Sequence, residues 1–297
     1  MTTTYEVIDR QSWLTDRKSG IGASEAPAAL GLSQYQTPLE LYLRKLDLVP
    51  PVEESEPMRI GTFLEPYLAQ RYTEITGRAI SRSQVFKRHA IYPELSATID
   101  AIDESGSVVE FKTTNNTGLI RELGEQGTDQ LPDEWLIQCH QQANIYGTNR
   151  VHLLALIACR ECRLFTVEVD PVAIARIQDG VVRFWREHVL AKVPPPATAA
   201  DLKVLAAIRP EADTEIRLDQ AGNYLATEWL SARERASDAA KVADARKAEL
   251  LQSIGTAERA VASDGTVFRR RVVQRKGYTV AATDYVSLTV HRPKEDR

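Results

Sequence analysis

Between Ser96 and Thr114 the chain reads SATIDAIDESGSVVEFKTT, and Asp100, Glu110 and Lys112 fall there at spacings that could do chemistry. Carboxylates are depleted in strand interiors, yet the segment alternates like two strands around a three-residue loop, Glu104-Ser105-Gly106. Glycine stands third in that loop, where a left-handed backbone is required. The loop sets a register of Asp103 against Ser107 and Asp100 against Glu110. Directly opposed residues share a face, with Cβ atoms about 4.5–5.5 Å apart. Lys112, two residues beyond Glu110, joins that face.

Two opposed carboxylates repel each other, and without a counter-charge one of them should bind a proton. A divalent cation supplies the charge, and oxygen-only ligands suit Mg²⁺ or Mn²⁺. Lys112 could then orient or deprotonate an attacking water. The other reading of the same spacing is a surface hairpin with a cross-strand ion pair.

The residues TIDAIDESGSVVEFKTT resemble the Asp…Glu-x-Lys signature of the PD-(D/E)XK nuclease superfamily. The surrounding order is narrower: WLTDRKSGIGASEAPAALGLSQYQTPLELYLRK, then RIGTFLEPYLAQRYTEITG, then the signature, then DEWLIQCHQQANIYG. It resembles the YqaJ-type viral recombinase nucleases, the family of lambda exonuclease, over about Trp13 to Val169. A lone signature is common by chance; four motifs in order are far more specific.

That resemblance implies roles for named residues. Asp100 and Glu110 would be the main metal ligands, helped by the backbone carbonyl of Phe111, and Lys112 would act on the attacking water. Glu65, in the G-x-x-x-E-P motif, would be an outer carboxylate of the metal site. Gln138 would lie near the water and the scissile phosphate. Arg17 and Ser24 would form a pocket for a terminal 5′-phosphate. The segment Gly20 to Ser24 reads as a turn opening a helix, a place where free amides bind phosphate. One departure stands out: the family pattern Y-x-x-Q-x-Q appears here as Trp135, Gln138 and His140, with Gln141 and Gln142 as neighbouring substitutes.

The implied activity is a Mg²⁺-dependent (or Mn²⁺-dependent) exonuclease. It would degrade one strand of linear double-stranded DNA from a 5′ end and leave 3′ tails for phage-type recombination beside a single-strand annealing protein. The rivals are an endonuclease or a 3′-directed nuclease on the same fold, or a DNA-end-binding module without chemistry. Resemblance to lambda exonuclease, a ring-shaped trimer, implies a homo-oligomer by analogy, a contact that the hundred or so residues after the proline spacer could change or block. Considered singly, Glu65 and Gln138 are ordinary helix residues, Arg17 is half of a surface ion pair, and Ser24 is an N-cap.

The elements that must position these groups are also readable. Thr37-Pro38 opens a helix with Leu39, Tyr42, Leu43 and Leu46 as its buried stripe. A third helix ends near Gly77, with a kink or fresh start expected at Pro66. Strands are expected at about 84–90, 95–102 and 107–113, a helix closing at Gly147, two further strands about the turn CREC, and a helix entered through Asp170-Pro171. The sum is an α+β nuclease core, a central mixed sheet flanked by helices. The spacer VPPPA at Val193 to Ala197 marks the boundary between a nuclease domain, 1–195, and an extension, 196–297. The extension holds a long helix from about Ala221 to Ile254 and an Asp264-Gly265 hairpin. Its basic run Phe268 to Tyr278 reads as a DNA-backbone contact or a charge-guarded edge strand.

Bulk properties fit a protein without a global basic field: net charge is −4 over 297 residues, so phosphate binding must be local. Cys139, Cys159 and Cys162 are one thiolate short of an iron–sulfur cluster and are expected as buried small hydrophobes. His89 is expected to be structural. No apolar run reaches the roughly 18 residues that span a bilayer. No signal peptide is visible, and a cytoplasmic location in a bacterial host is expected.

Overall fold

The computed structural model describes residues 4–6 and 10–274. They fall into two compact units divided between Ile208 and Arg209. In the first unit, strands β1 (Thr4–Glu6), β2 (Ile21–Gly22), β3 (Ile80–Arg88), β4 (Leu95–Asp103), β5 (Val108–Thr114), β6 (Arg150–Ile157) and β7 (Glu161–Glu168) form one mixed sheet. The order is β1-β3-β4-β5-β6-β7, with β2 added beside β4. Neighbours on the main path are antiparallel except β5 and β6, and the β2–β4 pair is also parallel. The helices are α1 (Arg10–Lys18), α2 (Ala26–Ala29), α3 (Pro38–Lys45), α4 (Glu56–Thr76), α5 (Thr117–Glu122), α6 (Asp133–Tyr146), α7 (Pro171–Phe184) and α8 (Leu202–Leu205).

Two helices sandwich the centre of the sheet. Leu68 and Tyr72 of α4 pack with Ala101, Val109, Phe111 and Leu154. Trp135, Cys139 and Ala143 of α6 pack with Ile99, Ile102, Val108 and Leu153. Apolar groups on both sides explain why β6 is almost wholly buried. A further cluster joins α2, α3 and α7 around Leu41, Val181 and Phe184 and takes in Val204 of α8.

Several expectations need correction. Pro66 neither ends nor restarts α4, which runs unbroken from Glu56 to a left-handed Gly77. The segment after Gly20 does not open directly into a helix: Ile21–Gly22 is a short strand, followed by a single 3₁₀ turn at Ala23–Glu25 and the one-turn α2. Gly20 is required for close approach, because a Cβ there would lie 2.5 Å from the Glu94 carbonyl oxygen. Of the cysteines only Cys139 is buried; Cys159 is exposed in the β6–β7 turn and Cys162 is half-buried. The polar helices α1 and α5 were not expected.

In the second unit, α9 (Gln220–Ile254) leads to a small hairpin of β8 (Arg259–Val261) and β9 (Val267–Arg269). Gly265 is left-handed in its turn, as an Asp-Gly hairpin needs. The basic run is not a continuous strand: β9 stops at Arg269, residues 270–274 have no regular structure, and the rest lies outside the described residues. Among the described residues no helix is long and apolar enough to cross a membrane.

Candidate active site

The β4–β5 hairpin is built as its loop requires. Ala101 faces Val109 and Ile102 faces Val108, the Asp103 N–H donates to the Ser107 carbonyl at 3.1 Å, and Gly106 has φ of +83°. Asp103 holds the turn. Its buried carboxylate accepts from the Ser105 and Ser107 amides, the Ser105 hydroxyl and the Tyr72 hydroxyl, all within 2.9 Å. Arg78 lies 3.7 Å away.

One pair further on, the regular ladder stops. Instead of pairing through the backbone, Asp100 turns its Oδ2 in to accept the Phe111 N–H at 2.8 Å. The alternation of β4 slips at the same place. Ile99 packs on the α6 side and Ala101 on the α4 side, although residues two apart in a regular strand share a face. The opening between β4 and β5 is therefore where the Asp100 carboxylate turns in beside the Phe111 backbone.

Glu110 is buried, and both of its oxygens are held. Oε1 accepts from Lys112 Nζ at 2.7 Å and from Gln138 Nε2 at 2.5 Å, and Oε2 accepts from Gln142 Nε2 at 2.5 Å. Lys112 also donates to Gln138 Oε1 at 2.8 Å, which closes a ring of three side chains. Gln138 and Gln142 reach the same carboxylate because residues four apart share one face of a helix. Glu65 projects from α4, and its Oε2 accepts from Gln84 Nε2 at 2.9 Å.

Asp100, Glu110, the Phe111 backbone, Lys112, Glu65 and Gln138 line one cleft of about 630 Å³. Arg17 and Ser24 line the same cleft. The Arg17 guanidinium stacks 4.9 Å from the Trp13 ring centroid, lies 3.4 Å from Ser24 Oγ and pairs with Glu25 at 3.4 Å. Glu25 also takes Lys45 Nζ at 2.7 Å and the Gly22 N–H at 2.8 Å. The Gly22 amide, expected to be free for an anion, is thus already engaged. Burial opposes ionisation of Glu25, but Lys45 and Arg17 overcome it and hold its carboxyl below the usual range.

The electrostatics of the carboxylate cluster run the other way. Burial, then repulsion from Glu110, pushes Asp100 well above the ordinary carboxylate range, against the Phe111 N–H and Lys112. Burial also raises Glu65, opposed by its Gln84 hydrogen bond. Burial disfavours the Lys112 ammonium, yet attraction to Glu110 and Asp100 outweighs it and holds the amine protonated. Asp100 and Glu65 thus sit where a further unpaired negative charge is disfavoured. Among the described residues no cluster of three or more His, Cys, Asp or Glu side chains is arranged to hold a metal ion; the hard oxygen donors on Asp100, Glu110, Glu65 and the Phe111 carbonyl are of the type a hard divalent cation takes, and such an ion would favour their charged forms.

The histidines lie elsewhere. His140 Nδ1 sits 2.7 Å from the Leu136 carbonyl, and Nε2 accepts the Asp170 N–H at 3.3 Å, so this residue ties α6 to the start of α7. His89 Nδ1 accepts the Tyr92 N–H at 3.0 Å and caps a turn. Gln84 is the site residue that motif reasoning left without a role; Gln142, weighed there only as a substitute, holds Glu110 beside Gln138. The signal for Gln142 was helical spacing from Gln138; nothing in the sequence singled out Gln84.

Residues 12–149 match the family described as YqaJ-like viral recombinase domain. A curated relative, the Bacillus subtilis (strain 168) protein named "Uncharacterized protein YqaJ", is 29% identical over 192 residues, 63% of this chain and 59% of that protein. The match thus spans about three fifths of the relative's length. Among solved structures, the alkaline exonuclease LHK-Exo of Laribacter hongkongensis is similar with a TM-score of 0.51 at 19% identity, over 62% of this chain and 94% of that one. Its complex with dAMP gives a TM-score of 0.51 at 20% identity over the same shares. At such identities the likeness is one of fold alone.

Proposed function

We propose, from the match of residues 12–149 to the YqaJ-like viral recombinase domain, that this protein is a divalent-metal-dependent DNA exonuclease acting on linear duplex from the 5′ end. The observation that carries the reading is the gathering of Asp100, Glu110 and Lys112 at the mouth of one hairpin, in a cleft that also holds Glu65, Gln138 and Arg17. The name of the structurally similar protein, an alkaline exonuclease, supports it.

Asp100, Glu110, Glu65 and the Phe111 carbonyl would hold the metal, Mg²⁺ or Mn²⁺. When bound, the ion supplies charge relief at the phosphate and a more acidic water. The chain's own groups do the rest. Lys112, its ammonium held by Glu110 and Gln138, keeps one N–H that would orient the attacking water, and the proton which that water loses would pass to solvent, since the protonated amine cannot take it. Gln138 and Gln142 fix the rotamer of Glu110, so that orientation is set before substrate binds. The Arg17, Lys45 and Glu25 group has two cations to one carboxylate. Its surplus positive charge, with a planar guanidinium facing the cleft, suits a terminal phosphate. An enzyme that re-reads the end it has just made benefits from an anion site beside its chemistry.

The product would be a duplex with 3′ single-stranded tails, the substrate of a single-strand annealing partner in phage-type recombination within the host cytoplasm. The test offers 5′-phosphorylated linear duplex, 5′-hydroxyl duplex and closed circular DNA, each with and without Mg²⁺. Metal-dependent digestion of linear DNA that favours the 5′-phosphate supports the reading. Cutting of the circle supports an endonuclease instead, digestion from 3′ ends reverses the polarity, and binding without digestion leaves an end-binding module.

A further inference from the structure

Six non-glycine residues among those described have a positive φ, and five of them sit in turns. The sixth, Gln84, has φ of +50° inside β3. A bulky side chain in that conformation is strained and persists only where its surroundings impose it. Strand register does not impose it. Ser83 pairs with Ala101 and Val85 with Ile99 in one unbroken register, so no residue is inserted at Gln84 and it lies across from Asp100. That is also where the alternation of β4 slips. The left-handed residue and the displaced carboxylate are two sides of one local irregularity, next to the metal-binding groups.

The Gln84 side chain shows what this conformation achieves. It enters the cleft and donates to Glu65 Oε2 at 2.9 Å, joining β3 to α4. Glu65 is half-buried, on the face of α4 that carries the buried Leu68 and Tyr72 three and seven residues on, and Gln84 is the side chain that takes its carboxylate there. The geometry points to Gln84 as a positioning residue: its amide fixes the Glu65 carboxylate in the cleft and thereby sets the affinity of the site for a divalent cation. This rests on the reading of Glu65 as an outer carboxylate of the metal site.

The test is calorimetric titration of Mn²⁺ into the full-length protein and into Q84G, E65A and the double variant, with thermal melting of each. Glycine takes the left-handed backbone without strain, so Q84G keeps the fold and removes only the amide. Outer partners of metal ligands are worth about 10–100-fold in affinity. Q84G is therefore expected to bind Mn²⁺ at least tenfold more weakly than the wild type while melting no lower, and to add nothing in the E65A background. A structural role alone would lower the melting temperature and leave Mn²⁺ affinity unchanged. Q84G binding Mn²⁺ as tightly as wild type, with E65A weakened, overturns the role of Gln84 and leaves Glu65 standing. An equal loss from Q84G with and without Glu65 also overturns it, since the amide would then act by another route. E65A binding as tightly as wild type removes the reading of Glu65 and the proposal together.

Discussion

A buried carboxylate whose two oxygens are both held by side-chain donors has its direction settled before any ligand arrives. Glu110 is in that condition, between Lys112 and Gln138 on one oxygen and Gln142 on the other. Replacing Lys112 by alanine removes a preorganised donor from the reacting centre, and one such donor is worth roughly 10²–10³-fold in rate. K112A is expected to bind DNA ends with near-normal affinity in a gel-shift assay and to digest them at least a hundredfold more slowly. Gln142→Leu frees Glu110 Oε2 and also deletes a buried acceptor, Gln142 Oε1, that has no hydrogen-bond partner. The protein should therefore still fold, by circular dichroism, while Mn²⁺ affinity drops by roughly tenfold or more. Asp100, Glu110 and Lys112 were legible in the sequence because a three-residue loop with glycine third leaves one register. Gln142 was obscured because the family pattern directs attention to position 140, where His140 serves the helix–helix junction instead. Gln84 was invisible, because no residue type announces a left-handed backbone in the middle of a strand.

At the level of elements, the β4–β5 hairpin depends on Asp103. Burial opposes its ionisation, but the hydrogen bonds from Ser105, Ser107 and Tyr72 prevail and hold its carboxyl below the usual range. A depressed folded value means that the stabilisation is complete above the unfolded value of about 3.9 and is lost as pH falls through the folded one. D103A should cost about 2–3 kcal/mol at neutral pH, the scale of hydrogen bonds to a charged group. In urea melts the gap between D103A and wild type should narrow between pH 4 and pH 2; a gap independent of pH would contradict this assignment. Long periodic elements such as α4, α6, α7 and α9 could be read from apolar spacing, caps and terminal glycines. The entry segment could not. Strand β2 is two residues long and exists because it docks beside β4, with its Ile21 carbonyl and the Ser96 carbonyl both accepting from Gln141 Nε2. That is a tertiary cause with no local signature.

At the scale of the whole molecule, every residue assigned to the site lies in the unit that ends at Ile208. That unit has its own buried clusters, whereas α9 has no buried residue. Limited trypsin digestion is expected to cut first in the exposed stretch 209–219, and the larger fragment should keep metal-dependent digestion of DNA. Loss of activity on that cut would give the extension a share in the chemistry. The claim on which the rest depends is that Asp100, Glu110 and Lys112 form a metal-dependent phosphodiesterase centre. Its most direct test is nucleotide release from 5′-phosphorylated linear duplex in Mg²⁺ or Mn²⁺, compared for wild type and D100N. The account predicts release by the wild type that stops when the metal is chelated, and a loss of at least a hundredfold in D100N. Equal release by both proteins, or release by the wild type that survives chelation, would contradict it.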